Sequence, residues 1–271
     1  MKVLSNLPSP VLVGVVKEKT PKAAIAEITN CLYDGAGMID LHMSCLENTD
    51  TETLRSIFSA SKLPVLALNY NIDYYSESRG YTEEDRIAMF RRAVDAGAHG
   101  IDMQGYTFDL SSKESFHGED KYSFTKGNPR EIVTDEGIIS KQCAFIEEVH
   151  SKGAEVLLSC HPGLPMTAEQ VVDLALFLEK RNPDIIKIVT IAETDEDLAE
   201  SFKAMIMLKK NVKTPVSYHA GGKAGSLSRI INPILGGHMI FCVDRFKESS
   251  LLEQLDLKTS KAVVENIKKF L

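Results

Sequence analysis

The chain has 271 residues, 44% hydrophobic and 25% charged, with 31 basic against 38 acidic side chains and a net charge of −7. This acidic balance, with no basic tract, excludes a non-specific nucleic-acid binder. No apolar run reaches membrane-spanning length, and the N-terminus MKVLSNLPSPVLVGVV offers no signal-peptide cleavage site; the expectation is therefore a cytoplasmic chain long enough for two ordinary domains or one large α/β barrel.

Short apolar runs alternate with longer amphipathic stretches from end to end. The runs are Val11–Val16, Met38–Met43, Pro64–Tyr70, Gly100–Gly105, Glu155–Cys160, Ile185–Ile191, Thr214–Ala220 and Met239–Val243. They are near-continuous and rich in Val, Ile and Leu, as strands covered on both faces must be. Helical patterns lie between them at Pro21–Tyr33, Thr51–Ser61, Thr82–Ala96, Asp135–Lys152, Thr167–Arg181, Asp195–Lys210, Ser226–Leu235 and Thr259–Phe270. Start signals recur: Thr20 before Pro21, Thr82 before two glutamates, Thr167 with Gln170 three residues on. Each offers a hydroxyl to orphaned helix N–H groups. Gly35, Gly97 and Gly153 are stop signals.

Eight strand–helix units predict a single-domain (β/α)₈ TIM barrel, with an open doubly wound sheet as the alternative. The first strand runs into Lys-Glu-Lys-Thr-Pro. It lacks the glycine fingerprint that would favour the open sheet. One segment breaks the rhythm. Tyr106–Thr134 is long and polar for a βα connection and follows the fourth strand. That places it on the face where barrel active sites lie, as a lid, a solvated excursion or an oligomer contact.

The chemistry concentrates between Glu155 and Ile191. Lys187 interrupts the apolar run Ile185–Val189, and His161 follows the run ending at Cys160. A lone ammonium is costly to bury, whereas a neutral amine is a nucleophile. Lys187 is therefore a candidate imine-forming amine; the alternative is a barrel lysine paired with a carboxylate or extended to the rim. His161, one strand over, is the candidate general acid/base. Asp40 and His42 share a face of the second strand, as Asp102 and Gln104 share one of the fourth. Either pair could orient a proton-transfer group or bind sugar-like hydroxyls, or be a satisfied polar layer. Asp-x-His alone does not make a metal site, and no second ligand pair stands at the right spacing, so neither metal nor cofactor is expected.

The seventh strand leads into His219-Ala-Gly-Gly-Lys-Ala-Gly225, then Ser228-Arg229. Such a loop before a helix suits an anion, phosphate included, and Arg229 adds a forked donor. The five cysteines form no CxxC pair and are odd in number, which fits free thiols better than disulfides or zinc. Cys160 adjoins His161, but adjacent strand residues point to opposite faces, so a Cys-His pair is not expected.

SCHPGLPMTAEQ, PDIIKIVTIAETDEDL and TPVSYHAGGKAGSLSRI occur in an order and spacing that resemble type I 3-dehydroquinate dehydratases. The resemblance covers most of the chain and is strongest from Glu155 to Arg229. It implies a (β/α)₈ barrel that uses a Schiff base, with Lys187 as imine lysine and His161 as general acid/base. It also implies Arg229 in substrate binding and Asp40 as the strand-two carboxylate. Departures are plain. The family's Glu-x-Arg in strand two reads Asp40-Leu41-His42 here. Its strand-three arginine is replaced by Asn69-Tyr70, which makes Tyr70 a binding candidate. Gln104 replaces the second strand-four acid, and the loop after strand eight is a different sequence from Phe246 to Glu253. Arg79 or Arg245 could restore a lost anion contact.

Three readings follow. The first is a lyase that dehydrates 3-dehydroquinate, or a related polyhydroxy ketone or keto acid, through an imine. The second is a class I aldolase on a phosphorylated sugar held by Gly221–Gly225. The third is a non-catalytic ligand-binding relative. In each the partner is a small molecule, not nucleic acid or membrane. A homodimer is allowed by the sequence without being specified by it.

Overall fold

The computed structural model describes residues 2–69, 82–109, 132–246 and 254–270. Its strands are β1 (Val11–Val16), β2 (Met38–His42), β3 (Val65–Leu68), β4 (Gly100–Gln104), β5 (Glu155–Cys160), β6 (Ile185–Ile191), β7 (Val216–Gly221) and β8 (Met239–Cys242). The helices that alternate with them are α1 (Pro21–Asp34), α2 (Thr51–Ala60), α3 (Glu83–Ala96), α4 (Glu136–Ser151), α5 (Ala168–Glu179), α6 (Asp195–Asn211), α7 (Ser228–Leu235) and α8 (Leu257–Ile267). The strand order is β7-β6-β5-β4-β3-β2-β1-β8, so sequence neighbours are sheet neighbours and β1 takes β8 on its other side. This is the (β/α)₈ TIM-barrel topology that the alternation predicts.

The strands are buried because both faces of the sheet carry apolar side chains; Ile39, Leu66, Val156 and Ile186 are all inaccessible to solvent. Burying each such side chain contributes about 1.5–3 kcal/mol. The helices begin where polar side chains can take up their first N–H groups. Thr82, Thr167 and Thr194 each complete a capping box, with Asp85, Gln170 and Asp197 respectively. Gly35 and Gly97 end α1 and α3 in the left-handed conformation, which residues with a Cβ avoid.

The chain comprises two compact units. The first is Met1–Asp102, Val149–Glu155 and Met239–Leu271. Within it β8, β1, β2, β3 and most of β4 run parallel in sequence. The buried Glu155 carboxylate accepts N–H bonds from Val3, Leu4 and Ser5, which fixes the segment leading to β1. The second unit is Met103–Glu148 and Val156–His238, with β5, β6 and β7 parallel. A buried arginine organises one side of it. Arg181 donates to Gln142 Oε1 at 2.7 Å and to the Val133 carbonyl at 2.7 Å. Gln142 in turn donates to the carbonyls of Gly105 and Thr107. Charged hydrogen bonds of this kind contribute about 1.5–3 kcal/mol each and leave no donor stranded. They hold the exit of β4 beside α4 and α5. Asp184 does similar work at the other end, accepting from the Val156 N–H at 2.7 Å and so setting where β5 enters relative to β6.

Of the long connection between β4 and α4, residues 110–131 lie outside the described residues, so the expectation of a lid there stands without a structural account.

Candidate functional site

Register decides what can meet Lys187. Ser159 of β5 pairs with Lys187 of β6, and Lys187 pairs with Ser217 of β7. The Gly105 N–H donates to the Ser159 carbonyl at 2.7 Å, which brings Gln104 alongside Ser159. Paired residues share a face, so Gln104, Ser159, Lys187 and Ser217 form one polar row across four strands, every member buried. The Ser217 hydroxyl has no hydrogen-bond partner. A lysine that reads as an anomaly along β6 is therefore one of a set across the sheet.

One pair further toward the strand ends lie the imidazoles. Val189 pairs with His219, and His161 follows Cys160 two residues beyond Ser159. Adjacent strands are about 4.8 Å apart and two residues rise about 6.6 Å. The lysine stem therefore spans the step to either ring. Lys187, His161 and His219 are 6, 9 and 7% exposed. Cys160 is buried on the opposite face and remains a free thiol, as the alternation predicts.

Arg229 is brought to the same place by α7. The Ser228 hydroxyl accepts from the Ala220 N–H at 2.7 Å and donates to the Gly225 carbonyl at 2.6 Å. That stitches the first turn of α7 to the end of β7. Arg229 Nη1 then lies 3.0 Å from His219 Nε2. Guanidinium nitrogens only donate, so the His219 Nε2 lone pair accepts and the ring proton resides on Nδ1.

Electrostatics follow from this packing. Burial, then the charges of Lys187 and Arg229, hold His161 well below the ordinary histidine range. Burial, then Arg229, Lys187 and His161, does the same to His219. Both rings are neutral near pH 7. A neutral imidazole can accept a proton, and one whose protonated form is disfavoured gives that proton up readily.

In the first unit, Asp40 and His42 lie on one face of β2 with His42 Nε2 3.3 Å from Asp40 Oδ2. Asp40 Oδ1 has no hydrogen-bond partner. Leu68 pairs with both His42 and Asp102, which puts those two polar residues on one line. Asn69, just past β3, is fully buried with neither amide atom hydrogen-bonded. Buried polar groups are rarely left unmatched, and Asn69 is a candidate that the sequence reading named only as a replacement. Tyr70 and Arg79 lie outside the described residues. The Arg245 guanidinium is 3.0 Å from Asp244, its own neighbour, and its side chain is 63% exposed.

The glycine-rich loop is less open to an anion than its sequence suggests. The Ala224 N–H donates to Ala192, the Gly225 N–H to Gly222 and the Ala220 N–H to Ser228. Two loop amides that could have cradled a phosphate, those of Ala224 and Gly225, are thus spent inside the protein. Gly222 is needed for its conformation, with φ of +84° and the Ala192 carbonyl 2.9 Å from where a Cβ would stand. Among the described residues no group of three His, Cys, Asp or Glu side chains could hold a metal ion, and no helix is long and apolar enough to cross a membrane.

The chain is similar to known 3-dehydroquinate dehydratases. The 3-dehydroquinate dehydratase of Coxiella burnetii is 32% identical over 96 residues, which is 34% of this chain and 40% of that enzyme. The enzyme of the same name from Desulfotalea psychrophila is 26% identical over 183 residues, 67% of each chain. Among solved structures, the type I 3-dehydroquinate dehydratase of Clostridium difficile, with covalently modified comenic acid, superposes with a TM-score of 0.76 at 15% identity. It covers 97% of this chain and 94% of its own. At such identity the likeness speaks to the fold. The family model of the type I 3-dehydroquinase matches residues 131–270, a stretch that contains Lys187, His161, His219 and Arg229. With just over half of its length matched, the chain belongs to the type I 3-dehydroquinase family.

Proposed function

We propose that this protein is a hydro-lyase that forms a Schiff base between Lys187 and a ketone and eliminates water, converting 3-dehydroquinate or a related polyhydroxy ketone or keto acid to the conjugated enone. The observation that carries the reading is the buried amine of Lys187, set on one face of the sheet with a neutral imidazole one step away.

The steps balance with one water lost overall. The Lys187 amine adds to the ketone carbon, and the carbinolamine loses its hydroxyl as water to give an iminium. The iminium draws electrons from the neighbouring carbon, so His161 can remove a proton from it. The resulting enamine pushes out the β-hydroxyl, which leaves as water with the proton returned by His161. Hydrolysis of the conjugated imine then restores the Lys187 amine and releases the enone. A histidine kept neutral by its surroundings serves both proton transfers, first as base and then as a strong acid.

In this reading Arg229 holds an anionic group of the substrate, and Gln104, in the row of Lys187, binds one of its hydroxyls. The aldolase alternative is less well supported, since two amides of its phosphate loop, those of Ala224 and Gly225, are engaged internally. Turnover of 3-dehydroquinate, followed by ultraviolet absorbance of the enone, is the direct test. Steady appearance of the enone supports the proposal. None from 3-dehydroquinate or any related hydroxy ketone refutes it.

A further inference from the structure

We infer that His219 is a positioning residue that aims Arg229 at the anionic group of the substrate. The inference rests on the reading of Arg229 as an anion contact and does not require the imine. Arg229 sits in the first turn of a helix of eight residues, on a long side chain that would otherwise sample several rotamers. Two contacts restrict it. Ser228 fastens the helix start to β7 through Ala220 and Gly225. The His219 ring, itself buried on β7, accepts a hydrogen bond from Nη1 through Nε2 at 3.0 Å.

That pairing is unusual, since a guanidinium normally seeks a carboxylate. A carboxylate at position 219 would neutralise Arg229 and weaken its hold on an anion. A neutral imidazole orients the guanidinium and leaves its charge intact for the ligand. It also stays neutral there because burial, then Arg229, Lys187 and His161, opposes its protonation. Orientation without neutralisation is what an anion-selective contact beside an amine requires.

The test uses quinate, a cyclic polyhydroxy carboxylate with no ketone, as probe. Its Kd is measured calorimetrically for the full chain, for His219→Phe and for His219→Gln. Gln can place a carbonyl oxygen near the position of Nε2 and accept from Arg229, whereas Phe cannot. The expected result is a Kd raised about tenfold or more in His219→Phe and near the wild-type value in His219→Gln. Far-ultraviolet circular dichroism of all three shows whether the fold is intact, and borohydride trapping of hydroxyacetone, a neutral ketone, by the wild type reports the amine separately. The inference is overturned by an unchanged Kd in His219→Phe, by His219→Gln binding as weakly as His219→Phe, or by no binding of quinate to the wild type. Failure of the imine reading looks different: no hydroxyacetone adduct in the wild type, with quinate affinity still responding to His219.

Discussion

Lowering the pH from 7.5 to 5.5 should cost this protein roughly 3 kcal/mol through two histidines. His161 and His219 are held neutral by burial and by neighbouring positive charge. In the unfolded chain each protonates near pH 6.5. In the folded chain each protonates only at much lower pH, so the unfolded state binds more protons throughout this interval and stability falls with pH. Each group then contributes about 1.4 kcal/mol across the two units, approaching a slope of about 1.4 kcal/mol per unit at the acidic end. The pair removes a fifth to a half of the roughly 5–15 kcal/mol typical of a domain. His99 is also lowered by burial, with Glu155 opposing, and it adds a smaller loss of the same sign. The carboxylates with lowered values, such as Asp50, Asp85 and Asp256, lose their contributions below this interval. The assay is urea unfolding at pH 7.5, 6.5 and 5.5 for the wild type and for His161→Gln/His219→Gln, which retains His99. The variant should lose most of the pH dependence. Equal slopes in the two proteins, or a wild type that gains stability on acidification, would refute the reasoning.

His161→Gln should lower turnover by about 10²–10⁴-fold, the usual contribution of general acid/base catalysis, while the borohydride adduct at Lys187 still forms; normal turnover would remove its role. Ser228→Ala strips the buried hydroxyl that serves Ala220 and Gly225. It should cost about 1–3 kcal/mol in urea unfolding and raise KM more than it lowers kcat, because Arg229 loses its footing. Ser217→Ala removes a buried hydroxyl without a hydrogen-bond partner. Its stability should stay within about 0.5 kcal/mol of the wild type. Turnover should fall about three- to tenfold if that hydroxyl contacts substrate beside Lys187.

Much of the fold was legible because buried parallel strands are written as uninterrupted apolar runs. β1, β5 and β6 fall on the residues that such runs delimit. Where the ends differ, backbone donors explain it. The run predicted to start at Thr214 pairs only from Val216, since the Thr214 N–H is taken by Glu179 at 2.7 Å and Pro215 has none to give. α8 starts at Leu257, two residues before the predicted Thr259, because Asp256 caps it by accepting from the Thr259 N–H. α7 begins at Ser228 since the preceding Gly225–Leu227 winds as a tighter turn.

In the site, Lys187 and His161 announced themselves as polar residues in or beside apolar strands. His219 lies inside the predicted run Thr214–Ala220 but reads only as the start of a glycine-rich anion-binding stretch. Its spacing of two from Ser217, on the strand beside Lys187, was the available signal. Ser159 and Ser217 carried none: a serine in a strand is unremarkable until the register sets it against a lysine. The carboxamide of Asn69 was equally silent, since burial without a partner is a property of packing alone.

Covalent trapping probes the nucleophilic role of Lys187 without depending on turnover. The full chain is incubated with 3-dehydroquinate and borohydride, and its intact mass and modified peptide are read, alongside Lys187→Met. One reduced adduct per chain is expected, located at Lys187 and absent from the variant. An adduct that persists in Lys187→Met, or a wild-type protein that turns over substrate with no adduct at Lys187, would contradict that role.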